Sequence, residues 1–123
     1  MVFTARPASD GHSDVLATGA QILQCAGAGG QVDLKAMLHE LAQQSVNEVH
    51  VEAGAVLNGA LLQAGLVDEL LLYLAPSMLG QGRPMAQWSA LTSLSDRLKL
   101  QFTDVQRVGD DLRIRAIVQH PRA

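Results

Sequence analysis

The chain has 123 residues, of which 48% are hydrophobic and 17% charged, and carries a formal net charge of -3. That length allows one domain or a portion of one, and excludes two independent cores. The composition excludes a disordered or fibrous chain, and an acidic balance without a dense Lys/Arg cluster excludes a surface built to neutralise nucleic-acid phosphates.

Met1 to Thr4 is a short β-prone run, followed by a polar segment from Arg6 to Asp14 that contains Pro7 and Gly11. Ile22, Leu23 and Cys25 predict a second short strand, ended by the loop Gly27-Ala28-Gly29-Gly30. Asp33 then caps a helix whose apolar positions Leu34, Met37, Leu38 and Leu41 fall at i, i+3, i+4 and i+7. Residues 46–51, with Val46, Val49 and Val51 among polar neighbours, predict a strand that delivers Glu52 at its C-terminal end. Gly54 starts a second helix with Val56, Leu57, Ala60, Leu61 and Ala64 as its apolar face, and Gly65 stands where a left-handed cap is expected.

Residues 69–75 are a nearly continuous apolar run, which predicts a central strand covered on both faces and terminated by Pro76. Residues 77–95, with Gly80, Gly82 and Pro84, predict a long connection that could form part of a pocket rim. Residues 98–108 and 112–118 predict an antiparallel hairpin turning at Gly109-Asp110-Asp111. Aromatics make up only 3% of the chain, so the core is aliphatic, which suits helices packed on a sheet. The expected class is α/β, one domain over residues 1–123, with a mixed and mainly parallel sheet.

Cys25 is the single cysteine and cannot form an internal disulfide, and no charged-then-apolar leader opens the chain, so the expected compartment is the cytoplasm. The longest apolar stretch falls short of the roughly 20 residues that a membrane helix needs. His12, His39, His50 and His120 lack metal-ligand spacing, so no metal is assigned. Asp68 and Glu69 read as structural residues introducing a strand, Trp88 as a cover for the core, and Cys25 as a buried inert thiol.

The strongest local signal is Val51-Glu52-Ala53-Gly54-Ala55-Val56-Leu57, an acid at a strand end followed by a small-residue turn and a helix start. Unpaired N–H groups of a first helical turn, the positive end of the helix dipole and small residues at the turn together suit a phosphate. Neither G-x-G-x-x-G nor a P-loop pattern is present, and such a junction also serves simple tight packing. Glu52 by itself reads as a surface carboxylate capping local amides.

The same segment, continuing through Leu57, Gly59-Ala60-Leu61-Leu62, Gly65-Leu66-Val67-Asp68-Glu69-Leu70 and Tyr73-Leu74-Ala75-Pro76 to Leu79-Gly80, resembles the C-terminal reductase domain of the bifunctional riboflavin biosynthesis deaminase/reductase. With less detail the similarity runs from Val2 to the hairpin at Val108-Gly109-Asp110-Asp111. The resemblance implies a dihydrofolate-reductase-like mixed sheet flanked by helices with a C-terminal antiparallel hairpin. It implies NADPH-dependent reduction of 5-amino-6-(5-phosphoribosylamino)uracil, a small-molecule substrate, to its ribitylamino counterpart. Carried over by motif, Glu52 becomes a substrate ligand, and Gly54, Ala55, Val56, Leu57, Asn58, Gly59 and Ala60 become the cofactor segment. A homodimer is the expected assembly.

The complete family domain begins with a further strand-helix region and follows a deaminase domain, so the chain is expected to be its C-terminal portion with the N-terminal part missing. No paired-Cys motif with a His-x-Glu partner is present, so zinc deaminase chemistry is not expected here. Two other readings keep the fold. One is a non-catalytic folded remnant or dimerisation module; the other is a related reductase with another substrate.

Overall fold

The computed structural model describes residues 1–7 and 10–120, so the polar segment expected between Arg6 and Asp14 lies partly outside the described residues. Two compact units make up the chain, residues 1–50 and 51–123.

In the first unit, β1 (Val2–Thr4) pairs in parallel with β2 (Ile22–Gln24), Val2 opposite Ile22 and Thr4 opposite Gln24. Parallel neighbours cannot be joined by a tight turn. The connection contains a helix that the sequence pattern did not predict, α1 (Ser13–Ala17), too short and polar to carry an apolar period. It stops where the Thr18 hydroxyl donates to the Val15 carbonyl at 2.6 Å. Cys25 follows β2 and is a buried free thiol. Its N–H donates to the Thr4 carbonyl and its carbonyl accepts from Asp33, both at 2.8 Å. Gly27 sits inside this turn, where an added Cβ would lie 3.1 Å from the Asp33 nitrogen.

The helix expected after Asp33 is present as α2 (Leu34–Gln43), and the Asp33 carboxylate accepts from Ala36 N–H at 2.9 Å. Leu34, Met37, Leu38 and Leu41 are half-buried, as the period requires. The helix closes with Val46 N–H donating to Leu41 at 3.1 Å and Ser45 N–H to Ala42 at 3.0 Å. Ser45 occupies the left-handed position, φ 64°, that glycine usually fills.

Residues 46–51 form no strand, which corrects the expectation for this segment. A strand exists through its ladder partner, and none pairs with it among the described residues. Val46, Val49 and Val51 are all exposed, so no buried face sets a register there.

The second unit holds α3 (Ala55–Gln63) and three antiparallel strands, β3 (Glu69–Leu74), β4 (Lys99–Val108) and β5 (Asp111–Gln119), in the order β3-β5-β4. Helix α3 ends in a Schellman cap: Leu66 N–H donates to Leu61 at 3.0 Å, Gly65 N–H to Leu62 at 3.1 Å, and Gly65 has φ +66°. The hairpin turns at Gly109, φ +63°, as a tight connection with glycine first favours. A bulge lies between Phe102 and Asp104.

Two expectations are corrected in this unit. β3 is an edge strand of its sheet, with β5 in the centre, and Leu71 and Tyr73 are exposed. Parallel pairing, expected to dominate, is confined among the described residues to β1 and β2. A continuous apolar run shows that a strand lacks a polar face, but not which neighbours it has. The α/β class and the C-terminal hairpin stand.

One face of the sheet carries Leu70, Leu72 and Leu74 opposite Ala116, Ile114 and Leu112, with Phe102 and Val105 continuing it on β4. Among the described residues of this unit, Ala116 and Val118 on that face and Gly59, Leu61 and Leu62 on α3 are buried. The other face carries Arg113 and Arg115, paired with Asp104 and Glu69. No helix among the described residues is long and apolar enough to cross a membrane.

Candidate functional site

Glu52 is exposed on the segment leading into α3, two residues before Gly54. Gly54 is the N-cap, in extended geometry at φ -79° and ψ 170°, and no side chain caps the helix there. An added Cβ at Gly54 would meet nothing within 4 Å. Neither a left-handed backbone nor internal crowding therefore calls for glycine at this position; what it leaves is room for a group approaching from outside. The opening N–H groups of Ala55, Val56 and Leu57 have no carbonyl one turn earlier to accept them, and the helix dipole adds partial positive charge. The cap residue and the helix start thus fit an anionic group such as a phosphate.

The expected apolar face of α3 is borne out at Leu61 and corrected at Val56 and Leu57. Val56 is 70% exposed and Leu57 40%, whereas Gly59, Leu61 and Leu62 are buried. The helix is apolar on every side, so its period could not select the buried face. Residues 85–88 lie against α3 at Ala55, Asn58 and Gly59. Gln87 N–H donates to the Ala55 carbonyl at 2.7 Å. The Asn58 side-chain amide donates to the Ala53 carbonyl at 3.1 Å and to the Met85 carbonyl at 2.8 Å. A Cβ on Gly59 would overlap the Gln87 carbonyl oxygen, so the strap crosses where only glycine admits it.

The expected cofactor segment therefore divides. Gly54 to Leu57 border the open helix start, while Asn58 and Gly59 are engaged with residues 85–88. Ala60 borders a shallow cleft with Val56, Gln87 and Trp88. Met85 and Gln87 were missed from the sequence, although a signal for them existed. Asn and Gly in succession are poor helix formers, and their presence inside an apolar helix asks for a tertiary partner.

The larger cleft, about 540 Å³, opens at the other end of α3, between Gly65, Trp88, Lys99 and His120. Glu69 takes the structural role read for it, bound to Arg115, and the Asp68 carbonyl accepts from Val118 N–H at 2.9 Å. His39 lies beside Gln43 on the exposed side of α2, 3.0 Å between their nitrogens. Among the described residues no group of three or more His, Cys, Asp or Glu could hold a metal ion.

The family model for the RibD C-terminal domain matches residues 1–114. The riboflavin biosynthesis protein RibD of Escherichia coli is 43% identical over 84 residues, 68% of this chain and 23% of that protein. A 5-amino-6-(5-phosphoribosylamino)uracil reductase of Buchnera aphidicola is 33% identical over 85 residues, 68% of this chain and 41% of its own length. The chain thus spans less than half of either relative. Among solved structures, Acinetobacter baumannii RibD superposes with a TM-score of 0.76 at 32% identity, covering 87% of this chain and 29% of that one. A pyrimidine reductase-like protein of Corynebacterium diphtheriae shares the fold at a TM-score of 0.76 and 18% identity, covering 98% of this chain and 50% of that one. The match of the family model to nearly the whole chain, with the Glu52-to-Gly65 segment in its centre, shows that this chain belongs to the RibD C-terminal domain family.

Proposed function

We propose that the chain is the cofactor-facing part of a reductase of riboflavin biosynthesis, which converts 5-amino-6-(5-phosphoribosylamino)uracil to 5-amino-6-(5-phosphoribitylamino)uracil with NADPH. The observation that carries this reading is the uncapped start of α3 at Gly54, open on its outer side, in a chain of this family. Its support from relatives is the reductase name borne by the Buchnera aphidicola protein. The N–H groups of Ala55, Val56 and Leu57 take phosphate oxygens of the cofactor, and Gly54 keeps the approach clear. Glu52, exposed beside that turn, accepts hydrogen bonds from hydroxyl or amino groups of the substrate. When bound, the nicotinamide would supply the hydride for the sugar carbon that becomes ribityl C1, with a proton from solvent completing the reduction, while the protein binds and orients.

The same reading includes a cytoplasmic homodimer. Leu74, Phe102 and Val105 remain exposed on the apolar side of the β3-β5-β4 sheet, and apolar surface of that kind favours association.

Calorimetric titration of the chain with NADPH, with NADH and inorganic phosphate as controls and light scattering in the same buffer, tests the proposal. Saturable binding that prefers NADPH, by a particle of twice the chain mass, is expected. Absence of saturable binding overturns the assignment of the cofactor to the start of α3, and a monomer overturns the dimer.

A further inference from the structure

Asn58 occupies the first full turn of a largely apolar helix, and its amide nitrogen meets two backbone carbonyls at once, Ala53 at 3.1 Å and Met85 at 2.8 Å. The first bond is local and the second spans 27 residues. Ala53 directly precedes the N-cap Gly54, and no peptide bond among the described residues is cis. In a planar trans peptide the carbonyl and the following N–H point in opposite directions. Holding the Ala53 carbonyl toward the Asn58 side chain therefore turns the Gly54 N–H away from that side chain.

The Met85 bond performs the second half of the task. With Gln87 N–H on the Ala55 carbonyl at 2.7 Å, it seats residues 85–88 along the first turns of α3, and Gly59 provides the gap that lets the strap lie there. The two carbonyls Ala53 and Ala55, on either side of Gly54, are thereby held by the Asn58 side chain and by the Gln87 N–H.

We infer that Asn58 is a positioning residue: it does not touch the phosphate but orients the Ala53–Gly54 peptide and, through Met85, fixes the strap that stiffens the phosphate-facing turn. This rests on the reading of that turn as the cofactor site. An anion site built from N–H groups is effective to the extent that those groups are already aimed before the ligand arrives.

The test uses the whole chain in two variants, Asn58→Leu and Gly59→Ala. Leucine keeps the branched shape and heavy-atom count of Asn58 without its donors, and alanine puts a methyl group on the Gln87 carbonyl. Both substitutions raise intrinsic helix propensity, so a weakened helix cannot explain a loss. Trp88, the single tryptophan of the chain and the neighbour of Gln87, reports on the strap by its fluorescence. The Gln87 amide reports by hydrogen exchange.

Both variants are expected to shift Trp88 emission to the red, to speed exchange of the Gln87 amide and to weaken NADPH binding roughly tenfold at a temperature where the chain stays folded. Asn58→Ser, which keeps one donor, should recover part of each change. Unchanged Trp88 emission and Gln87 exchange overturn the strap. A displaced strap with an unchanged NADPH dissociation constant overturns the positioning role and leaves the site reading intact. If the unaltered chain binds no NADPH, the site reading fails and the positioning role fails with it.

Discussion

Arg115 on β5 holds both carboxylate oxygens of Glu69 on β3, with Nε 3.1 Å from Oε1 and Nη2 2.9 Å from each oxygen. The two are diagonal neighbours, since Arg115 stands opposite Leu71 and Glu69 opposite Ile117. The side chains are 50% and 39% exposed, so water and salt screen the pair. A double-mutant cycle of Glu69→Gln and Arg115→Met should give a coupling of about 0.5–1 kcal/mol that shrinks as salt is added. Coupling that is large and indifferent to salt would contradict this.

The two ends of α2 predict opposite signs. Asp33→Ala removes the bond to Ala36 N–H and should destabilise the chain by about 1 kcal/mol in urea denaturation. Ser45→Gly relieves a left-handed serine and should stabilise it by about 0.5–1 kcal/mol. A Ser45→Gly variant less stable than the parent would show that the side chain has a role beyond the cap.

Leu61 on α3 is 3% exposed, among few buried side chains. Leu61→Ala should cost about 2–5 kcal/mol, whereas Val56→Ala, on the same helix but exposed, should change stability by less than about 0.5 kcal/mol. Equal effects would mean that the buried face of α3 is misassigned.

Gly54→Asp separates stability from binding. Aspartate is a good N-cap and its charge suits the dipole, so the variant should gain a few tenths of a kcal/mol in unfolding experiments (~0.3). Its carboxylate occupies the approach to the first turn and repels phosphate, so NADPH affinity should fall. A variant that binds NADPH like the parent would remove the cofactor from this turn.

Glu52→Gln, introduced into a full-length reductase containing this domain, should lower kcat/KM for the pyrimidine substrate while leaving the NADPH dissociation constant nearly unchanged. Normal turnover would return Glu52 to the role of a surface carboxylate.

Local physics is legible in the chain itself. The helix after Asp33 follows from a cap and a four-residue apolar stripe, the Gly65 stop from the need for a left-handed residue, and the hairpin from two β-prone runs around Gly109. The start of α3 after Gly54 was also readable, because small residues lead there into an apolar run. Tertiary structure alone decided the rest. β3 lies at an edge because its partners are supplied by a strand more than 35 residues later (Asp111–Gln119), and no apolar run specifies its neighbours. Residues 46–51 form no strand because a ladder needs a second chain segment, whatever the propensity of the first. The roles of Asn58 and Gly59 were hidden for the same reason: the carbonyls of Met85 and Gln87 that they serve are distant in sequence and close in space.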